Sequence, residues 1–460
     1  MASRRQSSGQ GTGQGLRESF FGRMFGEGKV FGTALGWLLA VALVKLGNPV
    51  VLNHLILPPS NLGEWVFGPW PAVYGYALLA MVLVLAWPLA RRGMPDVPRW
   101  LIWLPLAWLG WQMLAFWGSL DRGLSARVIL HYTSVVACYF AGLLALARVR
   151  ELRGFWMGLL VGFGWVLIAG LDQHYGGLAA TRRYVYEQAD WQSLPPEYLS
   201  RLASDRVFST LFYANTLAGV ILLLLPALLV AAWELWTERY RLFRAICVGL
   251  LLYAGLACLF WSGSKAGWLI AGLVGFLALL EEVPLGKRAR ITIALLVLLL
   301  AMVGFWVRFA DYFGRGATSA AARIDYWTVA FRIVGDQPVL GSGPGTFGLL
   351  YRELKPQNAE MSRVVHNDYL QQASDSGLPG ALFFSGWMLS ALFLAYRRSR
   401  GGRLARCVWL GFLAWAVQGL VEFGLLIPAV SWVGMVFLGW LLGAEQRDRQ
   451  RSEESLAFKS

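Results

Sequence analysis

The side chain best suited to proton transfer near neutral pH is histidine, and the chain holds four. His54, His131 and His174 have nothing around them in sequence that marks them out. His366 opens the run His366-Asn367-Asp368-Tyr369-Leu370-Gln371, which leads to Gly377 and Pro379. An imidazole there could take the proton from an attacking hydroxyl, although a lone histidine in a polar loop is more often a surface residue. Upstream lie Ala322-Arg323-Ile324-Asp325-Tyr326-Trp327 and Gly341-Ser342-Gly343-Pro344-Gly345. The Gly–Pro run lacks the Gly-Lys-Ser/Thr ending of a nucleotide loop, so it reads as a turn. Cys138, Cys247, Cys258 and Cys407 fall in or beside apolar stretches without metal-ligand spacing, and read as small buried hydrophobes with no disulfide. No acidic cluster suggests a metal site, and no cofactor is implied.

Helices must position these groups. The 460 residues are 57% hydrophobic and 15% charged, where a soluble chain is roughly half apolar and a quarter charged. The excess sits in long apolar blocks such as 208–232, 291–307 and 381–396. Backbone groups in lipid must be satisfied within the segment, so these blocks are helices. The alternating strands of an outer-membrane barrel are absent. The predicted fold is all-α, a polytopic membrane protein of about twelve transmembrane helices. The spans are read near 31–52, 70–90, 100–118, 126–147, 155–175, 208–232, 245–261, 265–281, 291–309, 379–396, 405–422 and 425–443. The first is too long for a signal peptide and lacks a small-residue cleavage site. Residues 1–30, rich in Gly, Ser and Gln, read as a disordered tail. Residues 319–334 read as a short helix with Ser319 as its N-cap. Residues 366–376 read as another, closed by Gly377.

Charge sets the orientation. Alternate loops carry seventeen arginines and lysines, in the groups 91–99, 148–153, 239–244, 287–290 and 397–406, and the short loops between them hold only Arg122 and Lys265. Basic short loops stay cytoplasmic. Both termini are therefore predicted to be cytoplasmic in a bacterial inner membrane, with two longer outer loops at about 176–207 and 310–378. The segments assigned to the cytoplasm carry the whole formal charge of +14. That charge is topological, a match to anionic lipid headgroups, and a nucleic-acid partner is not expected. Lys45, Arg127, Asp172 and Glu422 are the ionisable residues inside spans, all near helix ends where they can snorkel. Scarce mid-membrane charge argues against an ion transporter. The 23 tryptophans mostly suit membrane interfaces, while Trp191, Tyr326 and Trp327 in the outer loops could stack on sugar rings.

Several stretches, in order, resemble the O-antigen ligase and O-antigen polymerase (Wzy-type) superfamily. They are Arg206-Val207-Phe208-Ser209-Thr210-Leu211-Phe212 with Asn215-Thr216-Leu217-Ala218-Gly219, then Ser262-Gly263-Ser264-Lys265-Ala266-Gly267-Trp268-Leu269. Arg323 with Trp327 follows, then Asp336-Gln337-Pro338-Val339-Leu340-Gly341 through Phe347, then His366-Asn367-Asp368-Tyr369-Leu370-Gln371. Glu422-Phe423 and Ile427-Pro428 close the set. The likeness covers about 200–440. Two positions depart from the pattern: Lys265 stands where Arg is usual and Ser209 where Gly is usual. The organisation expected is a cytoplasmic tail (1–30), N-terminal helices with the first outer loop (31–200), a ligase-like membrane domain (201–443) and a second tail (444–460).

The resemblance implies an inverting, metal-independent glycosyltransferase acting at the periplasmic face. It would move a glycan from an undecaprenyl-diphosphate carrier to an acceptor hydroxyl. His366 is the implied catalytic base, and Arg206, Lys265 and Arg323 the implied donor diphosphate-binding cations. A ligase would use lipid A core as acceptor, a polymerase a second glycan repeat, and an oligosaccharyltransferase a protein. A flippase would instead need polar residues along a path through the spans, and these are scarce.

Overall fold

The computed structural model describes residues 28–187, 191–194, 196–284, 286, 318–457 and scattered positions between 288 and 303. Among them every regular element is helical and no strand occurs. The helices are α1 (Lys29–Lys45), α2 (Ala72–Ala90), α3 (Trp100–Ala115), α4 (Arg122–Phe140), α5 (Arg153–Asp172), α6 (Ala214–Glu234), α7 (Arg241–Trp261), α8 (Lys265–Glu282), α9 (Thr318–Asp336), α10 (Phe347–Leu354), α11 (Asp368–Ser399), α12 (Arg403–Gln418) and α13 (Pro428–Ala457). Seven are long and apolar enough to cross a membrane: α2 to α7, some with short extensions, and α11. The shorter α1, α8, α12 and first half of α13 fall on four more predicted spans. The span predicted at 291–309 lies largely outside the described residues, as does the predicted tail up to residue 27.

Two predicted boundaries move. The first helix ends at Lys45, before Gly47-Asn48-Pro49, because proline lacks an N–H and restricts the residue before it. A 3₁₀ turn, Val50–Leu55, follows. The helix predicted to reach 422 stops at Gln418, where the amides of Leu420 and Val421 tighten onto the Val417 and Gln418 carbonyls. Glu422 therefore sits in the α12–α13 connection and is buried. It is not a snorkelling residue at a helix end. The segment 319–334 is helical within α9; Ser319 is already inside that helix, and its side chain lies outside the described ones. The break predicted at Gly377 is present: Gly377 has φ 73° and divides α11 into a short N-terminal half and a long apolar half.

Small residues let the helices approach closely, as lipid-embedded helices require. At the α1–α5 crossing, a Cβ on Gly36 would stand 2.4 Å from the Phe155 carbonyl oxygen, and one on Gly158 would stand 2.5 Å from the Gly36 backbone. α6 lies against α12, α13 against α4, and α11 against α3. α6 and the first half of α13 are the most enclosed, with Leu217, Leu223, Leu228, Trp432 and Val436 fully buried. α7 instead exposes Leu242, Ile246, Leu250 and Phe260, an apolar face suited to lipid.

The two ends of the bundle differ. At one end Arg148 donates to the Leu89 and Gly93 carbonyls, and Arg398 to the Leu442 and Asp96 carbonyls, which gathers three of the basic loops. At the other end the helix termini that hold the site converge. Ala429 N–H bonds the Leu46 carbonyl, Asp368 N–H bonds Gly419, and Val207 N–H bonds Trp261.

Candidate functional site

A cavity of about 300 Å³ opens at this second end. Among the described residues, Arg201, Arg206, Arg323 and Arg363 line it with one carboxylate, Glu360, and His366, Asn215, Tyr213, Tyr326 and Ser362 add to its polar wall. Pro49, Val51 and Leu52, from the turn after α1, form an apolar side. Four guanidinium groups against Glu360 in the lining and Glu422 directly behind it favour an anionic occupant, and the planar donor fork of arginine matches phosphate oxygens.

Each cation is held by a different device. Arg206 precedes α6; its Nε donates to the Ser262 carbonyl at 2.7 Å and its Nη2 to Asn215 Oδ1 at 2.6 Å. The Ser262–Ser264 turn that receives it carries Gly263 at φ 59°, and its Ser264 side chain caps α8. Arg323, on α9, donates from Nε to the Val421 carbonyl at 3.0 Å and from Nη2 to Glu422. Arg201 lays its guanidinium 3.7 Å from the Phe212 ring centre and 3.4 Å from that of Tyr213, a cation–π arrangement. Lys265 is exposed at the first position of α8 and does not line the cavity. Its motif enters the site through the turn that receives Arg206.

His366 lies two residues before α11, with φ 55°. A left-handed conformation is uncommon for a non-glycine residue and needs outside support. Asn367 supplies it by capping α11, its side chain accepting from the Tyr369 and Leu370 amides. The His366 ring lies nearly parallel to Tyr326, with centres 5.4 Å apart, and edge-on to Phe423 at 4.7 Å. Its Nδ1 is 3.5 Å from Glu422 Oε2. Glu422 is the hub: Oε1 takes Arg323 and also Asn215 Nδ2, the latter at 2.6 Å. Burial pushes the Glu422 carboxyl up, but the contacts with His366 and Arg323 outweigh it and hold the group below its ordinary value.

The Gly341–Gly345 run is a clasp. Gly345 N–H donates to Asp375 Oδ2 at 2.8 Å and Phe347 N–H to Oδ1 at 3.3 Å. Ser342 and Gly343 N–H groups bond the Ser374 and Asp375 carbonyls. Gly343 has φ 109°, and a Cβ there would fall 2.3 Å from Ser119 Oγ. From the opposite side, Trp108 Nε1 and Gln112 Nε2 donate to Gln372 Oε1, and Gln372 donates to Tyr132. Together these fix the short N-terminal half of α11, and with it the position of His366.

The other histidines are placed elsewhere. His131 is buried and bonds the Leu425 carbonyl at 2.8 Å, His174 stacks on Trp261 at 3.7 Å, and His54 is exposed. Of the three aromatic residues proposed to stack on sugars, only Tyr326 lines the cavity, where it is already packed against His366. Trp191 lies edge-on to Tyr186, and Trp327 packs on the small core beneath α9 and α10. All four cysteines are free. Among the described residues no group of three or more His, Cys, Asp or Glu is placed to hold a metal ion.

Arg201, Arg363, Asn215 and Glu422 were not singled out as site residues by sequence reasoning. Asn215 and Glu422 did stand inside motifs, so a signal existed. Arg201 and Arg363 carried none.

Residues 250–385 match the family model for O-antigen ligase, Wzy_C. The match supports the O-antigen ligase and Wzy-type superfamily. It takes in Lys265, Arg323 and His366 and stops short of Arg206 and Glu422. No curated protein matches the chain.

Proposed function

We propose that the protein transfers a glycan from an undecaprenyl-diphosphate carrier to an acceptor hydroxyl at the periplasmic face of the bacterial inner membrane. One observation carries the reading. Arg206, Arg323 and His366, from three segments far apart in the chain, line a single cation-rich cavity at the end of the bundle opposite the gathered basic loops. The family match over 250–385 points to the same chemistry.

In the step envisaged, the acceptor oxygen attacks the anomeric carbon of the donor sugar. The bond from that carbon to the phosphate oxygen breaks, and the lipid diphosphate leaves with the electron pair. His366 takes the hydroxyl proton. Arg206 and Arg323 stabilise the charge that grows on the diphosphate, which is where fixed cations lower a barrier most. Attack from the face opposite the leaving group inverts the anomeric carbon. The turn after α1 gives the cavity an apolar side that suits the start of the lipid.

The test is transfer by the purified protein in vesicles, supplied with a lipid-diphosphate glycan and followed by loss of donor and gain of product. No turnover of the donor with any hydroxyl acceptor would sink the reading. The glycan of a deletion strain then separates the acceptors: unlinked full-length glycan marks a ligase, single repeats a polymerase. For orientation, a reporter active only outside the cytoplasm should work when fused at Gln357 and be silent at Gly401. The reverse pattern would place the cavity on the wrong side of the membrane.

A further inference from the structure

Among the described residues, Glu422 is the buried carboxylate that touches the proposed base and the proposed phosphate-binding groups together. Its two oxygens are divided: Oε1 is taken by Arg323 and by Asn215, which in turn holds Arg206, while Oε2 faces His366 Nδ1 at 3.5 Å. The Glu422 side chain is 8% exposed and that of His366 20%. The Nδ1 atom is buried and makes no closer hydrogen bond than this 3.5 Å approach to Glu422, and the ring also lines the cavity.

We infer that Glu422 is a positioning residue that fixes the tautomer of His366 and ties it to both arginines. The inference rests on the glycan-transfer reading above. A carboxylate can only accept, so the nitrogen facing it must carry the ring proton; which nitrogen is protonated is set by the partner of the other. Nδ1–H toward Glu422 leaves Nε2 with a lone pair, the form that takes a proton from a hydroxyl. When Nε2 gains that proton, the imidazolium lies beside a fixed negative charge, which stabilises it. The same carboxylate orients the Arg323 guanidinium and, through Asn215, that of Arg206. Base and phosphate clamps are thus held in one frame, and a shift of one is felt by the others. The Tyr326 and Phe423 rings hold the imidazole plane in the orientation this requires.

Two measurements test the inference. In protein labelled with ¹⁵N-histidine, the His366 ring signals are those lost in His366→Ala. The neutral ring should carry its proton on Nδ1; a neutral ring protonated on Nε2 overturns the proposal. In parallel, Glu422→Gln should slow transfer on the order of 10²-fold or more, and Glu422→Asp should recover part of the rate. In a His366→Ala background Glu422→Gln should add little further loss, because residues that act as a unit are not additive. Full and additive losses would mean that Glu422 acts independently of His366, and would sink the inference. Failure of the underlying reading looks different: a folded His366→Ala protein that transfers at the wild-type rate, whatever tautomer the wild type shows.

Discussion

Both ends of the helix bundle are rich in arginine, and the two sets are used differently. Arg148 and Arg398 donate to backbone carbonyls of α2, of α13 and of the loop between α2 and α3. Arg206 and Arg323 each give one donor to a carbonyl and another to the Asn215–Glu422 pair, and both line a cavity. The residue type is the same; the partners separate a structural clamp from a group held ready for an anion. Arg148 and Arg398 tie backbone segments together, whereas Arg206 and Arg323 are each fixed at two points on the wall of a cavity that an anion can enter.

That contrast can be broken by mutation. Arg206→Ala and Arg323→Ala should each lower glycan transfer per folded molecule by about 10²-fold or more, the scale of losing a fixed donor at a developing charge, and Arg323→Ala should also lower the unfolding temperature, because it leaves the buried Glu422 without its cation. Arg148→Ala and Arg398→Ala should do the opposite, with transfer per folded molecule unchanged and stability lowered by about 1–3 kcal/mol in thermal unfolding in detergent. Loss of activity without loss of stability in the second pair would erase the distinction. The smallest change is expected at Lys265. It is exposed and outside the cavity lining, so Lys265→Ala should keep transfer within a few-fold, and Lys265→Arg should match or exceed the parent. A collapse of activity in Lys265→Ala would put that side chain on the donor after all.

Glu422 adds a pH test. Its carboxyl titrates below the ordinary carboxylate range, which lies near 4.3 for glutamate. A depressed value stabilises the fold above the unfolded pKa, and that contribution is lost as pH falls through the lower, folded value. Glu422 therefore stays ionised through mildly acidic and neutral pH. Glu422→Gln should lower the unfolding temperature at neutral pH, and the gap from wild type should shrink below about pH 4. A gap that persists unchanged into strong acid would mean the charge of Glu422 contributes nothing.

Much of this was legible in the sequence because it is local. Apolar runs place helices, alternating arginines sort the two ends, and Gly377 closes the short helix read from His366. The site itself was legible only in part. Glu422, at the end of an apolar run, looks like an interfacial acid, since its partners Asn215 and Arg323 are 207 and 99 residues away. Arg201 and Arg363 look like ordinary loop arginines until folding brings them to the cavity. The Gly341–Gly345 run was read as a turn, but its role as a clasp depends on Asp375, thirty residues on. Lys265 shows the reverse case, a motif position outside the cavity lining whose motif meets the site through the Ser262 carbonyl that receives Arg206.

The most direct measurement of the central claim is the transfer rate, donor binding and unfolding temperature of one purified His366→Ala protein in vesicles carrying a lipid-diphosphate glycan. If His366 is the base within the Arg206–Arg323 cavity, transfer per folded molecule falls by about 10²–10⁴-fold while binding stays at its wild-type value and a cooperative unfolding transition remains. Wild-type transfer by that folded variant would contradict the account.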